Sequence, residues 1–530
     1  MTSTFQITYH NSSTGQIILP VSTEILLDAN DPVFTFNEVL EGVNLEKYII
    51  KNRLGRDGYN NISLLKIILF SFMVNVRSTR CIEKLCANDI RLMWIGGNIR
   101  PSHNTIAKFI KFNLTDSIDN VFTEVNRFFI KKENINTDVY FIDGSKIEAY
   151  ANKYSFVWKK ATLKHQSKLF LKISKTFTEL EKAIKYYDLD LNLEIKEIYQ
   201  PYELITCIEV LSEYLIDNDI PIVYGKGKRK HEIQRYYDEI SSYLSFAEKY
   251  EEIIETCGED RNSYSKTDND ATFMRMKDDH MRNGQLKAGY NVQIGVSDEY
   301  ILNVEVYQDR SDFNTFEPFL NSYKRKYGFM PKYPVADAGY GSFDNYLFCL
   351  ENQLELVQKY VMYSKEKESS FKKKIFNSRN FDYMDNGDIK CPMGHKFELI
   401  KKTINNKGKN PKEIEHYKCL NCHDCPSVKE CTKSKSGYRS LQVCRKQKDM
   451  EAIAKANLDG PLGIMLKIER SIQVEGAFGV IKENMKYRRL SRRGIENVKT
   501  ELTLVCLAYN LKKYHNNKMK RLKKEKSLFS

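Results

Sequence analysis

The sequence contains little glycine and proline, with 25 Gly and 12 Pro among 530 residues. These counts exclude a collagen-like, low-complexity or disordered chain, because such chains are rich in Gly or Pro and poor in apolar residues. Apolar residues make up 42% of this sequence. At roughly 150 residues per domain, we expect a packed globular protein of about three or four domains.

The sequence also lacks a long apolar segment. Its most apolar stretch, residues 62–76, contains Lys66 and is shorter than the roughly 20 residues that a membrane-spanning helix needs. This stretch is therefore predicted to be a buried helix. Residues 1–19 are mostly polar and do not resemble a secretion signal. We therefore expect a cytoplasmic protein whose cysteines are reduced or bind metal.

Basic residues outnumber acidic residues, 83 to 69, which gives a formal net charge of +14. A positive excess favours a polyanionic partner, since Lys and Arg release counterions when they contact phosphates. One basic cluster lies at residues 226–230, and residues 512–526 form another. The charge alone favours nucleic acid only modestly, because such clusters are often solvated surfaces.

Periodic apolar patterns place the chain in the α/β class, as a multidomain α+β protein. In the helical first part Ser102 is a candidate N-cap. This part is predicted to be a helix-turn-helix module or an ordinary bundle with a solvated basic face. Strands are predicted at residues 288–296 and 300–307. The predicted parts are a helical domain at 1–132, a mixed-sheet core at 133–158, 261–364 and 446–515, a helical insertion at 159–260, a cysteine-rich insertion at 365–445 and a basic tail at 516–530.

Two acids stand in matching contexts. Asp143 ends the strand-forming segment 138–143, Asp337 ends the segment 333–337, and a glycine follows each acid within two residues. Either acid alone is an ordinary turn residue. If the two strands lie side by side, however, the carboxylates converge at one edge of the sheet, where they repel each other unless a divalent cation neutralises them. The pair therefore predicts a metal site.

A third carboxylate is expected from a helix packed across that edge. Glu475 is the best candidate, since Lys482 lies seven residues further on and hence on the same face of an α-helix. A solvent-exposed Glu–Lys pair is the plainer alternative. Arg470 lies about 140° around an α-helix from Glu475, so it is not expected to enter the site directly.

Several segments resemble DDE transposases of bacterial insertion sequences, and the eleven-eighty-two group in particular. Those that resemble the three catalytic blocks are DGSKIEA at 143–149, DAGYG at 337–341 and VEGAFGVIK at 474–482. Those that resemble the N-terminal domain and the middle segment of the group are STRCIE at 78–83, PSHNTIAKF at 101–109, TDNDA at 267–271 and GYNVQ at 289–293. Related families carry Tyr-x2-Arg-x3-Glu-x6-Lys, of which only the Glu475 and Lys482 part is present here.

The resemblance implies an RNase H-like core with two Mg²⁺ or Mn²⁺ ions held by Asp143, Asp337 and Glu475. Such ions activate a water and then a 3′-hydroxyl, and they stabilise the leaving oxygen of a phosphodiester displacement. The implied partners are double-stranded DNA, at the element's ends and at the target, and a second copy of the chain. Asp268 and Asp270 are candidate extra ligands, but capping of turns is the plainer prediction for acids in a loop. The residues assigned to DNA contact are Arg77, Arg80, Lys228, Arg229, Lys230, Lys482, Lys486 and Arg488.

Cysteines are crowded into one segment that is poor in apolar residues. Their C-x2-C-x2-C-x5-C spacing, after an isolated cysteine, suits four thiolates around Zn²⁺, which would order a segment unable to fold alone. An iron–sulfur site and plain reduced thiols are the alternatives. The zinc candidates are Cys391, Cys419, Cys422, Cys425 and Cys431, with His395 and His423 in reserve.

Three functions follow from these features. The first is an insertion-sequence transposase that binds terminal inverted repeats, cuts DNA and joins the ends to a target. The second is a transposase-derived DNA-binding protein without activity, although the presence of all three acids argues against it. The third is a metal-dependent nuclease that cuts without joining. Each predicts a bacterial, DNA-associated protein in the cytoplasm.

Overall fold

The computed structural model is a mixed α/β protein with 53% helix and 16% strand, which confirms the predicted class. Lys226 of the basic cluster and residues 1–26 lie outside the described residues. None of the described helices is long and apolar enough to cross a membrane. The structure describes residues 27–49, 58–225, 227–276, 285–384 and 387–529.

The part of the chain before the first strand is helical. Asn60 caps the buried helix predicted at 62–76, because its side chain accepts two backbone N–H groups at 2.8 and 3.1 Å. Ser102 caps a later helix in the same way, through the N–H of Thr105 at 3.2 Å. The helices are α1 (Pro32–Glu41), α2 (Glu46–Ile49), α3 (Asn61–Met73), α4 (Thr79–Asn88), α5 (Ile90–Gly96), α6 (His103–Phe109), which continues as a π-helical turn at Ile110–Leu114, and α7 (Ile118–Glu133).

The next part contains the main sheet. Its strands are β1 (Val139–Glu148), β2 (Phe156–Trp158), β3 (Ser263–Ser265), β4 (Thr272–Arg275), β5 (Leu286–Ser297), β6 (Tyr300–Tyr307), β7 (Tyr333–Gly341) and β8 (Gln358–Tyr360). The order is β4-β5-β1-β7-β8, with β6 also paired to β5, while β2 and β3 form a separate ladder. β7 is parallel to β1 and β8, whereas β5 is antiparallel to β1, β4 and β6. This is the mixed sheet expected of an RNase H-like core.

Helices surround the sheet or extend from it. Between β2 and β3 the chain forms a helical bundle whose buried residues make up a hydrophobic core of their own. This bundle occupies the predicted helical insertion. Two further helices alternate with the strands of the main sheet. The helices of this part are α8 (Lys159–Tyr187), α9 (Pro201–Asp217), α10 (Glu232–Cys257), α11 (Phe316–Tyr327) and α12 (Phe343–Glu351).

The cysteine-rich part has a small core of its own, built from aromatic and aliphatic residues and several cysteines. β9 pairs with β10, and β11, β12 and β13 form a three-stranded antiparallel sheet. Its elements are α13 (Ser369–Lys372), β9 (Asp382–Tyr383), β10 (Ile389–Lys390), β11 (Glu398–Asn405), β12 (Lys412–Lys418), α14 (Val428–Cys431), β13 (Ser440–Val443) and 3₁₀ turns at Lys365–Lys367, Ser378–Asn380 and Leu420–Cys422.

The chain ends in helices that return to the main sheet. They are α15 (Arg445–Asp459), α16 (Pro461–Arg470), α17 (Gly476–Gly479) and α18 (Ile495–Phe529), with π-helical turns at Ser471–Glu475 and Val480–Asn484. The predicted basic tail is thus the end of α18 and not a separate segment.

One hydrophobic core joins the N-terminal helices, the main sheet and α18. α18 packs against β6, α3 and α7. Its buried Asn510 side chain accepts the N–H of Ile301 at 2.9 Å and donates to Asn126 Oδ1 at 2.8 Å. Because these buried amides satisfy one another, they fix α18 between the N-terminal helices and the sheet.

Candidate active site

The two aspartates lie on neighbouring parallel strands. Phe141 of β1 pairs with Val335 of β7. Asp143 comes two residues after Phe141 and Asp337 two residues after Val335, so the two aspartates occupy matching positions along the two strands. The prediction that each acid ends its strand is wrong, since β1 continues to Glu148 and β7 to Gly341. The parallel pairing of β1 with β7 does end at Phe141 and Val335, however. The acids therefore lie where the two strands cease to pair.

Backbone groups hold both carboxylates. The N–H of Gly144 donates to Asp143 Oδ1 at 2.9 Å, and the N–H of Gly339 donates to Asp337 Oδ1 at 2.8 Å. Asp143 is 8% exposed, while Asp337 is half-buried. Gly341 is required by packing, because a β-carbon there would lie 2.0 Å from the Lys359 carbonyl oxygen. The glycines after each acid thus position the carboxylates and allow close backbone approach.

Arg470 enters this site, contrary to the sequence-based expectation. Its Nη1 lies 3.8 Å from Asp143 Oδ2, and its side chain is 8% exposed. The expectation assumed a regular α-helix, but residues Ser471–Glu475 form a π-helical turn. In a π-helix, residues five apart lie near the same face because hydrogen bonds run from i to i+5. Arg470 and Glu475 are five residues apart, so this turn brings both towards one side.

The helix that carries these residues lies across the sheet. α16 packs against β7, and the π-helical turn packs against β1 and β5. Glu475 lies at the end of this turn with an exposed side chain, and Lys482 is half-buried in the second π-helical turn. Nε and Nη1 of Arg470 are buried and have no hydrogen-bond partner among the described residues. Buried donors without partners are costly, so this guanidinium is suited to receive an anionic group.

A further acid, Asp312, lies beside the predicted pair and was missed in the sequence. It stands in the loop between β6 and α11, where no strand-end pattern marks it. Asn291 Nδ2 and Gln293 Nε2 donate to its Oδ1 at 2.7 and 2.9 Å. The available signal was the pair Asn291 and Gln293, which places two amides on the same face of the otherwise apolar strand β5.

Tyr340 connects this group to the core below. Its buried hydroxyl donates to Gln293 Oε1. Burial raises the pKa of Tyr340 well above its usual value, and the charges of Asp312, Asp143 and Asp337 raise it further. Three carboxylates therefore act on one phenol that stays protonated at neutral pH and remains a hydrogen-bond donor.

Asp268 and Asp270 act as caps, as predicted. Asp268 accepts the hydroxyl of Tyr290 at 2.9 Å and the N–H of Gly494 at 3.1 Å. Asp270 accepts the N–H of Ile495 at 2.9 Å and so caps the first turn of α18. Burial, together with the charge of Asp270, raises the pKa of Asp268. These two acids therefore hold the start of α18 against the sheet through hydrogen bonds.

The predicted DNA-contacting residues fall into two groups. Some have partners within the protein: Arg77 donates to the carbonyl of Met485 at 2.8 Å, Lys230 pairs with Asp238 and Arg488 pairs with Glu483. Arg77 thus joins the N-terminal helices to the segment after Glu475. Of the others, Lys482 is half-buried, and four have exposed side chains: Arg80, Lys228, Arg229 and Lys486.

The five candidate zinc-binding cysteines line one small, enclosed cavity, together with His395. Burial raises the pKa of Cys419 to about 12, and a hydrogen bond with the Cys422 thiol adds to this. Burial likewise raises the pKa of Cys431. Within the described ranges no three His, Cys, Asp or Glu side chains are close enough to bind a metal ion as they stand, here or at the aspartates.

A wide cleft lies between the cysteine-rich sheet and α15 and holds an ionic network. Glu415 accepts hydrogen bonds from Tyr417 at 2.7 Å and Arg445 at 2.8 Å, and Lys402 lies 3.0 Å away. Burial alone would raise the pKa of Glu415, but these partners outweigh it and lower that pKa to about 2. The network fixes the cysteine-rich part to α15, far from the aspartates in sequence.

Comparison with known proteins gives two family matches. Residues 390–515 match the family described as the transposase DDE domain, and residues 21–112 match a transposase domain family (DUF772). The first range contains the zinc candidates and Glu475, whereas Asp143 and Asp337 lie outside both ranges. No match was found among curated proteins or among solved structures. The two family matches support a DDE transposase of insertion-sequence type.

Proposed function

We propose that this transposase binds the terminal inverted repeats of its element and then cuts and joins DNA, with Asp143, Asp337 and Glu475 as the metal-binding acids. One observation carries the proposal. The register of β1 and β7 places the two aspartates level on adjacent strands, and the helix that bears Glu475 packs across the same strands. This arrangement supports a site in which three acids from distant parts of the sequence act together.

The donor set suits Mg²⁺ or Mn²⁺, because hard divalent cations prefer carboxylate oxygens. When bound, two such ions would activate the attacking water or 3′-hydroxyl and stabilise the leaving oxygen. The protein's own part is to orient the acids. Gly144 and Gly339 each hold one carboxylate oxygen, and Arg470 offsets the charge of Asp143.

Basic groups beside the acids suit the DNA backbone. Nε and Nη1 of Arg470 have no hydrogen-bond partner among the described residues, although Nη1 lies 3.8 Å from Asp143, and Lys482 lies seven residues beyond Glu475. Lys486 is exposed on the same segment, and Arg80 is exposed three residues after Arg77, which contacts this segment. Phosphate contacts of this kind give affinity and position without reading sequence. Two DNA ends have to be handled together, so we further propose that two copies of the chain act in the DNA complex.

The cysteine-rich part is proposed to bind one structural Zn²⁺ through four of its five clustered cysteines. Supporting this, the thiols of Cys391, Cys419, Cys422, Cys425 and Cys431 face one cavity in a part of the chain with a small core. Zinc would lower the thiol pKa values that burial raises, since a coordinated thiol is deprotonated.

The test replaces one acid at a time, as Asp143→Asn, Asp337→Asn and Glu475→Gln, in the full chain. Each variant is expected to lose Mg²⁺-dependent cleavage of a plasmid that carries the element's ends, while gel-shift binding to the ends persists. Glu483→Gln is the matched control, because Glu483 is an exposed acid on the same segment and should cut normally.

The outcomes separate the three functions. Unchanged cleavage in all three variants would contradict the assignment of the acids. End binding by the unmodified protein without any cleavage would favour a DNA-binding protein derived from a transposase. Cleavage without joined products, in the presence of target DNA, would favour a nuclease.

A further inference from the structure

Lys359 lies on β8, next to the strand that carries Asp337. The two strands are parallel, and their pairing is interrupted by a bulge. At this bulge β8 contributes Gln358 and then Tyr360 to the pairing, whereas β7 skips residues 337–340. Lys359 therefore lies opposite the skipped segment, which begins with Asp337. A lysine is thus adjacent to an acid of the candidate site, and no local pattern in the sequence marked it.

The ammonium group of Lys359 faces the candidate site. Burial lowers the pKa of Lys359, the positive charges of Arg470 and Lys467 lower it further, and the charge of Asp337 opposes them. Charges shift a pKa in this way when they lie close to the group. Arg470 and Lys467 both belong to α16, which packs against β7. The ammonium group therefore lies on the side of the sheet where Arg470 approaches Asp143.

Lys359 and Arg470 both lack hydrogen-bond partners. Lys359 is half-buried, and its ammonium group makes neither a hydrogen bond nor an ion pair within the described ranges. Nε and Nη1 of Arg470 are likewise without hydrogen-bond partners there, in a residue that is only 7% exposed. Lys467, in contrast, donates to the hydroxyl of Tyr363 at 2.7 Å. Because buried cationic donors without partners are costly, these two neighbouring groups suit an anionic ligand.

We propose that Lys359 and Arg470 together bind the DNA phosphate at which the strand is cut. The inference rests on the proposed cleavage at the aspartates, and it adds to that function a phosphate-binding residue from β8. An ammonium group and a guanidinium both form charge-assisted hydrogen bonds with phosphate oxygens. The phosphate would thereby be held beside Asp337. The plainer alternative is that Lys359 only balances the charge of Asp337 within the folded protein.

The experiment measures binding of the full chain to a fluorescent duplex of the element's end, in EDTA and at several NaCl concentrations. Each lost phosphate contact lowers the slope of log affinity against log salt by about 0.9. Lys359→Gln is expected to show this smaller slope, so its loss of affinity should be roughly eightfold larger at 0.1 M than at 1 M salt. Lys359→Arg keeps the charge and should keep the slope. Lys332→Gln is the control, because Lys332 is exposed and immediately precedes β7, at the end of the strand away from the acids.

A second duplex tests which phosphate is bound. It carries one uncharged methylphosphonate at the cut position, which is mapped from the cleavage products of the unmodified protein. The unmodified protein should bind this duplex roughly tenfold more weakly than the ordinary duplex, since charge-assisted hydrogen bonds are lost. Lys359→Gln should lose less affinity on the same change, because its contact with that phosphate is already absent. Equal losses in the two proteins would overturn the inference.

The outcomes distinguish this inference from the proposed function. An unchanged slope in Lys359→Gln, with normal end binding and cleavage by the unmodified protein, would overturn the inference and leave the function standing. A lower thermal unfolding midpoint with an unchanged slope would identify the charge-balancing role instead. An equally reduced slope in Lys332→Gln would show a general charge effect and would also overturn the inference. Equal binding of the two duplexes by the unmodified protein would do so even if Lys359→Gln fails to fold. Absence of end binding by the unmodified protein would contradict the proposed function and the inference with it.

Discussion

Arg470 and Asp143 form a buried ion pair, and its strength can be measured with a double-mutant cycle. The variants are Arg470→Met, Asp143→Asn and the double change, studied in EDTA. Two unit charges 3.8 Å apart attract by about 4 kcal/mol at an effective dielectric constant of about 20. Coupling energies measured between neighbouring groups fall at roughly 0.5–3 kcal/mol. We therefore expect a coupling of about 2–3 kcal/mol.

The cycle is suited to this pair because it cancels other consequences of each change. Removing Arg470 also removes buried N–H groups without partners, which would by itself stabilise the protein, so a single variant would mix two opposing effects. Urea unfolding followed by circular dichroism gives the free energy of unfolding for each variant. The control cycle uses Arg488→Met and Glu483→Gln, an exposed pair for which a coupling below about 1 kcal/mol is expected.

A coupling near zero for Arg470 and Asp143 would refute the reasoning. It would mean that the two groups do not interact in solution, and that the π-helical turn does not place Arg470 at the aspartates. A coupling no larger than that of the exposed control pair would lead to the same conclusion.

Three other expectations concern stability and metal content. Glu415 has a pKa of about 2 in the fold, below its usual value. Its contribution to the free energy of unfolding is therefore complete above about pH 4.5 and is lost as the pH falls towards 2. The difference in urea midpoint between the unmodified protein and Glu415→Gln should vanish over the same pH range. Gly295→Ala should lower the free energy of unfolding by about 1–3 kcal/mol or more, because the new β-carbon would overlap the buried ring of Tyr140. An unchanged urea midpoint would contradict the packing of β5. Elemental analysis of purified protein should find roughly one zinc per chain, and the zinc content of Cys419→Ser should be lower. Absorbance near 400 nm would instead indicate an iron–sulfur site.

Local patterns in the sequence were sufficient for much of the fold. The cap at Ser102, the strand Tyr300–Tyr307 and the helices of the insertion follow from side-chain periodicity and capping, which act over a few residues. The pairing of β1 with β7 entered the sequence analysis only as a condition for the two acids to converge, and the structure supplies it.

Other features depend on contacts between distant parts of the chain. The basic character of Arg77 suggested DNA contact, but the fold gives it a partner within the protein. That partner is the carbonyl of Met485, 408 residues away in the sequence, so no local pattern could indicate it. α18 packs onto the N-terminal helices, while residues 520–527 at its end are exposed, as their lysines suggested.

The sequence by itself therefore determined the class of the protein, several of its helices and strands, and two acids of the candidate site. Only the tertiary structure decided how the site is completed. The direction of Arg470 depends on a π-helical turn, which regular 3.6-residue spacing does not predict. Asn291 and Gln293, on strand β5, orient Asp312 in the loop after β6 through buried hydrogen bonds. Such bonds form between residues that folding brings together, and no local pattern records them.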